Sequence, residues 1–240
     1  MDEMRAVLWD MDGTLVDSEK LWDVSLAGLA VHLGGRLSEP ARAAMVGSAL
    51  DRTVARMFDE VGLEHRPTAL AEAGAWLTER TETLFREGLP WRPGAVEALR
   101  LVRASGLRTA LVTSTHRGLT EIALDSIGRE FFDVTVCGDE VPATKPEPGP
   151  YLMAARMLDV PTWSCLAVED SPTGSASAAA AGCAVLVVPN DVPVSSAPGL
   201  RNRESLSGLS LDELRDIWRR GQESRWSNED AHSTVGGGDR

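Results

Sequence analysis

Short apolar runs that end in polar or glycine-containing turns recur along the chain and predict the strands of a buried sheet. The runs are Arg5 to Trp9, Leu107 to Val112, Val134 to Cys137, Cys165 to Val168 and Ala184 to Val188. Strands of this character are covered on both faces and are typical of parallel sheets flanked by helices. The pattern therefore predicts a buried parallel sheet.

Helix-like stretches separate the later runs, so the region from Trp91 to about Pro189 is predicted to alternate strand and helix. These stretches are Pro93 to Ala104, Leu119 to Ile127, Tyr151 to Leu158 and Gly174 to Ala181. Crossover helices of this kind join neighbouring parallel strands. The expected fold class is α/β, a Rossmann-like doubly wound parallel sheet with helices on both faces.

The segment from Asp17 to about Gly88 has a different pattern, because it holds helix-like stretches with no strand-like run between them. The stretches are Glu19 to Leu33, Glu39 to Val61 and Thr68 to Arg86. An insert at this point would lie above the carboxyl end of the first strand, where open α/β sheets bind ligands. We expect residues 17–88 to form an inserted all-helical cap, and residues 1–16 with 89–220 to form the core.

The apolar pattern weakens after Pro189. One amphipathic stretch, Leu211 to Trp218, is suited to docking on the core. The residues that follow are polar and glycine-rich, a composition that does not support a packed core. Residues 221–240 are therefore expected to form a disordered tail.

Composition and charge narrow the classes of partner. The 240 residues include 24 Lys and Arg against 36 Asp and Glu, and 43% are hydrophobic, as in a globular protein. The net charge of −12 argues against nucleic-acid binding, which relies on clustered Lys and Arg. No basic segment with a following apolar run opens the chain, and the longest apolar run, Ala178 to Pro189, is too short for a bilayer. We expect a cytoplasmic protein with no membrane partner.

Cysteine and histidine give no sign of a disulfide framework or a zinc site. The cysteines are Cys137, Cys165 and Cys183, an odd number that lies in apolar stretches. The four histidines are scattered without ligand spacing. Any metal site must therefore be built from other residues.

Two carboxylates follow the first predicted strand directly, in the segment Asp10-Met11-Asp12-Gly13-Thr14. The period of two in extended chain points Asp10 and Asp12 to one side of the sheet. Taken alone, an Asp-x-Asp-Gly segment is equally well explained by a solvated turn. Whether Asp10 and Asp12 form part of a site depends on which residues follow the other predicted strands.

The next two strands are followed by groups that bind anions. Thr113-Ser114-Thr115 offers hydroxyls and backbone amides at the start of a helix, although hydroxyl residues also cap helices routinely. Lys145 is one of only two lysines in the chain, and its compact charge suits a phosphoryl oxygen. The alternative explanation is that Lys145 occupies this position by chance.

The fourth strand ends in Glu169-Asp170-Ser171, a second acidic pair at the same predicted edge of the sheet. In isolation this segment is compatible with a simple turn. Converging carboxylates in an acidic chain are costly without a cation, and all-oxygen ligands select a hard ion such as Mg²⁺. The four strand ends together predict one pocket.

These strand ends resemble the four motifs of the haloacid dehalogenase superfamily, and most closely its β-phosphoglucomutase-like phosphatases with a helical cap. The matching segments are Asp10 to Glu19 (DMDGTLVDSE), Val112 to Ser114 (VTS), Lys145 to Pro148 (KPEP) and Val168 to Ser171 (VEDS). The resemblance covers about residues 5–189, and four motifs in this order are highly specific. It implies a Mg²⁺-dependent hydrolase of small phosphorylated metabolites, such as sugar or polyol phosphates.

The resemblance also implies a role for each matching residue. Asp10 would be the nucleophile that forms an aspartyl-phosphate, and Asp12 would be the general acid and then the general base. The ligands of Mg²⁺ would be Asp10, the main-chain carbonyl of Asp12, Glu169 and Asp170. The residues that hold phosphoryl oxygens would be Thr113, Ser114 and Lys145.

A phosphosugar mutase of the β-phosphoglucomutase type is the alternative activity. The mutases that this chain resembles carry a His where Trp22 stands, and a basic residue after a cap glycine, whereas Gly47 is followed by no Lys or Arg until Arg52. These departures favour a phosphatase. A non-catalytic regulator with this fold would predict loss of Asp10 or Asp12, and both are present.

Four further residues are candidates for contact with the substrate. Trp22 and Gly47 lie in the predicted cap, and His116 and Arg117 follow the Thr-Ser-Thr segment. Each has a simpler explanation, because a Trp on a helix commonly serves packing and loop charges are commonly solvated.

Overall fold

The strands form a single parallel sheet whose order is that of a doubly wound α/β fold. The structure, a computed structural model, describes residues 3–45, 50–190 and 192–233. Within them six strands follow the order β3-β2-β1-β4-β5-β6. The strands are β1 (Ala6–Trp9), β2 (Arg108–Val112), β3 (Val134–Val136), β4 (Cys165–Glu169), β5 (Ala184–Val187) and β6 (Leu200–Asn202). The predicted fold class is confirmed.

The predicted strands form because their side chains are apolar on both faces of the sheet. Every residue of β1, β4 and β5 is buried. The sequence pattern does not predict β6. Its three residues, Leu200-Arg201-Asn202, are only partly buried or exposed, and it pairs with β5 alone at the edge of the sheet. A short polar edge strand lacks the continuous apolar signal that identifies the central ones.

Helices α5 to α8 connect the strands and cover the sheet. They are α5 (Ala95–Ala104), α6 (Arg117–Ile127), α7 (Gly149–Met157) and α8 (Pro172–Ala181). One hydrophobic core joins the sheet to α7 and α8, and it includes Leu8, Val112, Tyr151, Ala178 and Val185. No helix in the described part of the chain is both long and apolar enough to cross a membrane.

The C-terminal helix α9 runs over Leu211–Ser233, so the expectation of a disordered tail from residue 221 is wrong as far as residue 233. Gly221 and Gln222 are buried, and a Cβ atom on Gly221 would lie 2.6 Å from the Cβ of Ala184 in β5. The missing side chain lets α9 pack closely on the sheet. The helix then continues beyond Gln222 to Ser233, which the polar composition alone does not predict.

A second unit, Asp17–Leu89, is all-helical and has its own core. Its helices are α1 (Glu19–His32), α2 (Glu39–Met45), α3 (Leu50–Val61) and α4 (Pro67–Glu87). The core includes Leu29, Met57, Phe58 and Leu77. Residues up to Val16 and from Pro90 onward form the unit that contains the sheet.

The two chain segments that lead into and out of this insert are hydrogen-bonded to each other within the sheet-containing unit. Val16 and Trp91 form an isolated antiparallel bridge. The backbone N–H of Arg92 donates to the carbonyl of Leu15 at 2.9 Å. The entry and exit points of the insert are therefore fixed side by side.

Candidate active site

The polar residues predicted to converge do meet at the carboxyl edge of the sheet. Trp9, the last residue of β1, is level with Leu111 in β2 and with Val168 in β4. Asp10 therefore emerges between the ends of its two neighbouring strands. Because β1 is central in the sheet, the ends of β2 and β4 flank this aspartate on either side.

Three buried carboxylates form a compact cluster at this edge. Asp10, Glu169 and Asp170 each offer one oxygen, and these oxygens lie within 4.8 Å of one another. The residues are 6%, 0% and 6% exposed, respectively. Among the described residues Asp10 Oδ2 is buried without a hydrogen-bond partner. Burial raises the pKa of Asp10 to about 7, with Lys145 opposing the shift and Glu169 and Asp12 adding to it.

Lys145 is the cation that holds the cluster together. Its Nζ donates to Asp10 Oδ1 at 2.6 Å, to Glu169 Oε1 at 2.7 Å and to the carbonyl of Val112 at 2.9 Å. The side chain is 5% exposed. Burial lowers the pKa of Lys145, but the ion pairs with Asp10 and Glu169 outweigh this effect and leave it above its ordinary value. The lysine is therefore charged and fixed.

Asp12 lies outside this cluster and is held by two hydroxyls. Its Oδ2 accepts from Thr113 Oγ1 at 3.0 Å and from Thr115 Oγ1 at 2.8 Å. The N–H of Thr115 in turn donates to Thr113 Oγ1 at 3.0 Å. The Thr113 hydroxyl thus contacts Asp12, a contact that residue type and spacing did not predict. Ser114, between the two threonines, is exposed.

Helix α8 makes room for Glu169 by means of a glycine. A Cβ atom on Gly174 would lie 2.0 Å from Glu169 Oε2. Glu169 Oε2 also lies 3.3 Å from the N–H of Asp170 and 3.4 Å from Ser171 Oγ, both of which donate to it. The helix N-terminus can therefore approach a buried carboxylate closely only because position 174 has no side chain.

The candidate substrate residues have contacts of their own. His116 caps α6, with its Nδ1 accepting from the N–H of Leu119 at 3.3 Å. Arg117 forms ion pairs with Glu140 at 2.8 Å and Glu121 at 2.9 Å. Its guanidinium is thus paired with protein carboxylates, and its contact with substrate stays a prediction.

The structure says less about the two candidate substrate residues in the predicted cap, Trp22 and Gly47. The Trp22 ring packs edge-to-face against Phe85 within the helical unit, with centroids 6.4 Å apart. This contact supports the packing interpretation of Trp22. Gly47 lies outside the described residues.

Two contacts of the site were not predicted from the sequence. Thr115 donates to Asp12, and the hydroxyl of Tyr151 donates to Glu169 Oε1. Thr115 could have been found from the Thr-Ser-Thr segment, whose second threonine is also a hydroxyl donor. Tyr151 gave no such signal, because it belongs to a stretch identified only as a crossover helix.

Comparison with known proteins gives one consistent family. The family model described as haloacid dehalogenase-like hydrolase matches residues 4–182. The chain is 30% identical over 200 residues to protein CbbY of Rhodobacter capsulatus, covering 79% of this chain and 87% of that protein. It is 33% identical over 204 residues to hexitol phosphatase A of Escherichia coli, covering 79% of this chain and 86% of that protein.

A solved structure extends this similarity to three dimensions. A mutant of CbbY from Rhodobacter sphaeroides, crystallised in complex with xylulose-(1,5)bisphosphate, has a TM-score of 0.77 and 28% sequence identity. The match covers 88% of this chain and 99% of that one. The chain therefore belongs to the haloacid dehalogenase-like hydrolases, within their phosphatase subgroup.

Proposed function

We propose that the protein is a Mg²⁺-dependent phosphatase that hydrolyses small phosphomonoesters through an aspartyl-phosphate on Asp10. The observation that carries the proposal is the buried cluster around Asp10. Lys145 occupies Oδ1 of this aspartate, while Oδ2 has no hydrogen-bond partner among the described residues. A buried carboxylate oxygen of this kind is available to a ligand, and it is costly to leave unsatisfied.

The donor set fits Mg²⁺. Asp10, Glu169 and Asp170 supply three carboxyl groups against the single positive charge of Lys145, so the buried site carries two net negative charges when all three are ionised. Oxygen ligands of this kind suit a hard divalent ion. These three residues, with the main-chain carbonyl of Asp12, would hold the ion. When bound, it would supply positive charge that offsets repulsion between a carboxylate nucleophile and a phosphate ester.

Asp10 is the proposed nucleophile. Its attack on phosphorus forms an acyl phosphate and breaks the bond between phosphorus and the ester oxygen. Lys145 fixes the carboxylate through Oδ1, so that it is oriented before substrate arrives. Lys145 and the backbone around Ser114 are the proposed donors to the phosphoryl oxygens.

Asp12 is the proposed acid and base. As acid it donates a proton to the departing alkoxide, and as base it takes a proton from the water that attacks the acyl phosphate. Inorganic phosphate then leaves and Asp10 is regenerated. The hydroxyls of Thr113 and Thr115 both donate to Asp12 Oδ2 and so orient the carboxyl group, which supports a role in proton transfer.

The relatives favour sugar or polyol phosphates as substrates. One relative is named a hexitol phosphatase, and the CbbY structure contains a pentulose bisphosphate. The proposed substrates are therefore phosphomonoesters of this size, and the helical unit Asp17–Leu89 is the proposed cap. A phosphosugar mutase is the competing activity.

The proposal is tested by release of inorganic phosphate from hexitol, hexose and pentulose phosphates, each with Mg²⁺ and with EDTA. We expect release that requires Mg²⁺ and is greatest for sugar or polyol esters. Isomerisation of a sugar phosphate without net phosphate release, in the presence of a bisphosphate activator, would instead establish a mutase. Equal release with EDTA would contradict the metal requirement.

Replacing Thr115 with valine is expected to slow hydrolysis of alkyl phosphates by on the order of tenfold, because Asp12 loses one of the donors that orient it as an acid. Release of p-nitrophenolate in a single turnover should change little, since this leaving group departs without a proton. Thr115→Ser keeps the hydroxyl and serves as the matched control. Equal slowing of both esters would show that Thr115 does not act through Asp12.

A further inference from the structure

Tyr151 is a buried phenol whose hydroxyl reaches the acidic cluster. It is the only tyrosine in the chain and lies near the start of α7, with 0% of its surface exposed. Its hydroxyl donates to Glu169 Oε1, the oxygen that also accepts from Lys145 Nζ. The contact thus joins α7 to the end of β4.

The hydroxyl is not needed to fill the core. The ring packs in the hydrophobic cluster formed by the sheet, α7 and α8, where a phenylalanine would occupy nearly the same volume. A buried hydroxyl costs free energy unless it has a partner. Since Glu169 is the partner that the structure gives it, the oxygen of Tyr151 is explained by this carboxylate.

Glu169 is confined on its other sides as well. Lys145 lies 2.7 Å from Oε1, and a Cβ atom on Gly174 would overlap the carboxylate. Lys145 Nζ also lies 5.2 Å from the centroid of the Tyr151 ring, within the range of a cation–π contact. Tyr151 therefore contacts both the carboxylate and the cation whose positions define the cluster.

We propose that Tyr151 is a positioning residue of the metal site, which holds the Glu169 carboxylate where it meets Asp10 and Asp170. The inference rests on the proposed function, because it assumes that this cluster binds Mg²⁺. The neutral hydroxyl fixes Glu169 without removing the negative charge that a divalent ion requires. A second cation in its place would reduce that charge.

The test is Mg²⁺ binding by the metal-free full chain, measured by calorimetry without substrate, for wild type and Tyr151→Phe. Partners that orient metal ligands typically change metal affinity about 10- to 100-fold when removed, so Tyr151→Phe should bind Mg²⁺ at least about tenfold more weakly. Ser164→Ala is the control, because it removes another buried hydroxyl, which donates to the carbonyl of Pro161. Ser164 directly precedes the first residue of β4, at the opposite end of the strand from Glu169. Its Mg²⁺ affinity should equal that of wild type.

A double-mutant cycle shows whether Tyr151 acts through Glu169. In the Glu169→Gln background, Tyr151→Phe should weaken Mg²⁺ binding much less than in wild type. The inference would be overturned if Tyr151→Phe bound Mg²⁺ with wild-type affinity. It would also be overturned if Tyr151→Phe weakened Mg²⁺ binding by the same factor in the wild-type and Glu169→Gln backgrounds. Either result would leave the phosphatase proposal intact. Failure of the wild-type chain to bind Mg²⁺ would overturn both.

A measurement on the unsubstituted chain gives an independent check. Incorporation of fluorotyrosine yields one ¹⁹F resonance, because the chain has a single tyrosine. In buffer free of Zn²⁺, addition of Mg²⁺ should shift this resonance. Addition of Na⁺ to the same ionic strength should leave the resonance unchanged. An unchanged resonance at saturating Mg²⁺ would contradict the proposed contact with the metal site.

Discussion

Asp10→Asn is expected to abolish turnover, with kcat falling on the order of 10⁴-fold or more, as when other enzymes lose a nucleophile. Asparagine keeps the shape of the side chain and its Oδ1 can still accept from Lys145, so the fold should persist. The amide cannot form the acyl phosphate. The variant therefore removes the covalent step while it keeps the arrangement of the cluster.

The measurement combines steady-state phosphate release with acid-quench trapping of the phosphorylated chain. Wild type should carry acid-stable label from a labelled phosphomonoester on Asp10, and the variant should carry none. Asp212→Asn is the matched control, because this aspartate is 98% exposed at the start of α9 and should leave kcat unchanged. Retention of a tenth of the wild-type rate by Asp10→Asn would rule out Asp10 as the nucleophile.

Lys145→Met is expected to destabilise the metal-free protein by about 3–5 kcal/mol, because it leaves buried carboxylates without their cation. Lys145 pairs with both Asp10 and Glu169, and the three side chains are at most 8% exposed. Methionine fills much of the same volume, so the cost is mainly electrostatic. Added Mg²⁺ should reduce the loss, since it supplies the missing positive charge.

Urea unfolding with and without Mg²⁺ measures this effect. The other lysine of the chain gives the control, because Lys20 is 76% exposed and pairs with Asp17. An exposed pair contributes about 0–1 kcal/mol, so Lys20→Met should change the free energy of unfolding little. If the two lysine variants were equally stable, Lys145 would not be the cation on which the buried cluster depends.

The sheet could be predicted from the sequence because its central strands are apolar on both faces. Runs such as AVLW in β1 and AVLV in β5 have this character, and both are fully buried. The edge strand β6 and the end of α9 could not be predicted in the same way. Both depend on neighbours that are distant in the chain, such as Ala184 against Gly221.

The candidate site could be placed at the sheet edge, but its individual contacts could not be predicted. Asp10 and Lys145 are 135 positions apart, and only the parallel arrangement of the strand ends indicates that they meet. The Thr113 hydroxyl has an unforeseen partner in Asp12, and Arg117 pairs with carboxylates of its own unit. Such choices depend on side-chain rotamers and local packing, which residue type and spacing do not fix.

The chain enters and leaves the helical insert at two residues that are paired with each other, and this pairing affects how the insert can change in evolution. Because Val16 and Trp91 are already adjacent, an intervening segment of any length closes on the same two fixed points. The entropy of closing a loop grows slowly, by about 0.6 kcal/mol for each doubling of its length. Inserts of different size could therefore be exchanged here at little cost to the sheet, so that the insert can change while the carboxylate cluster at the sheet edge is kept.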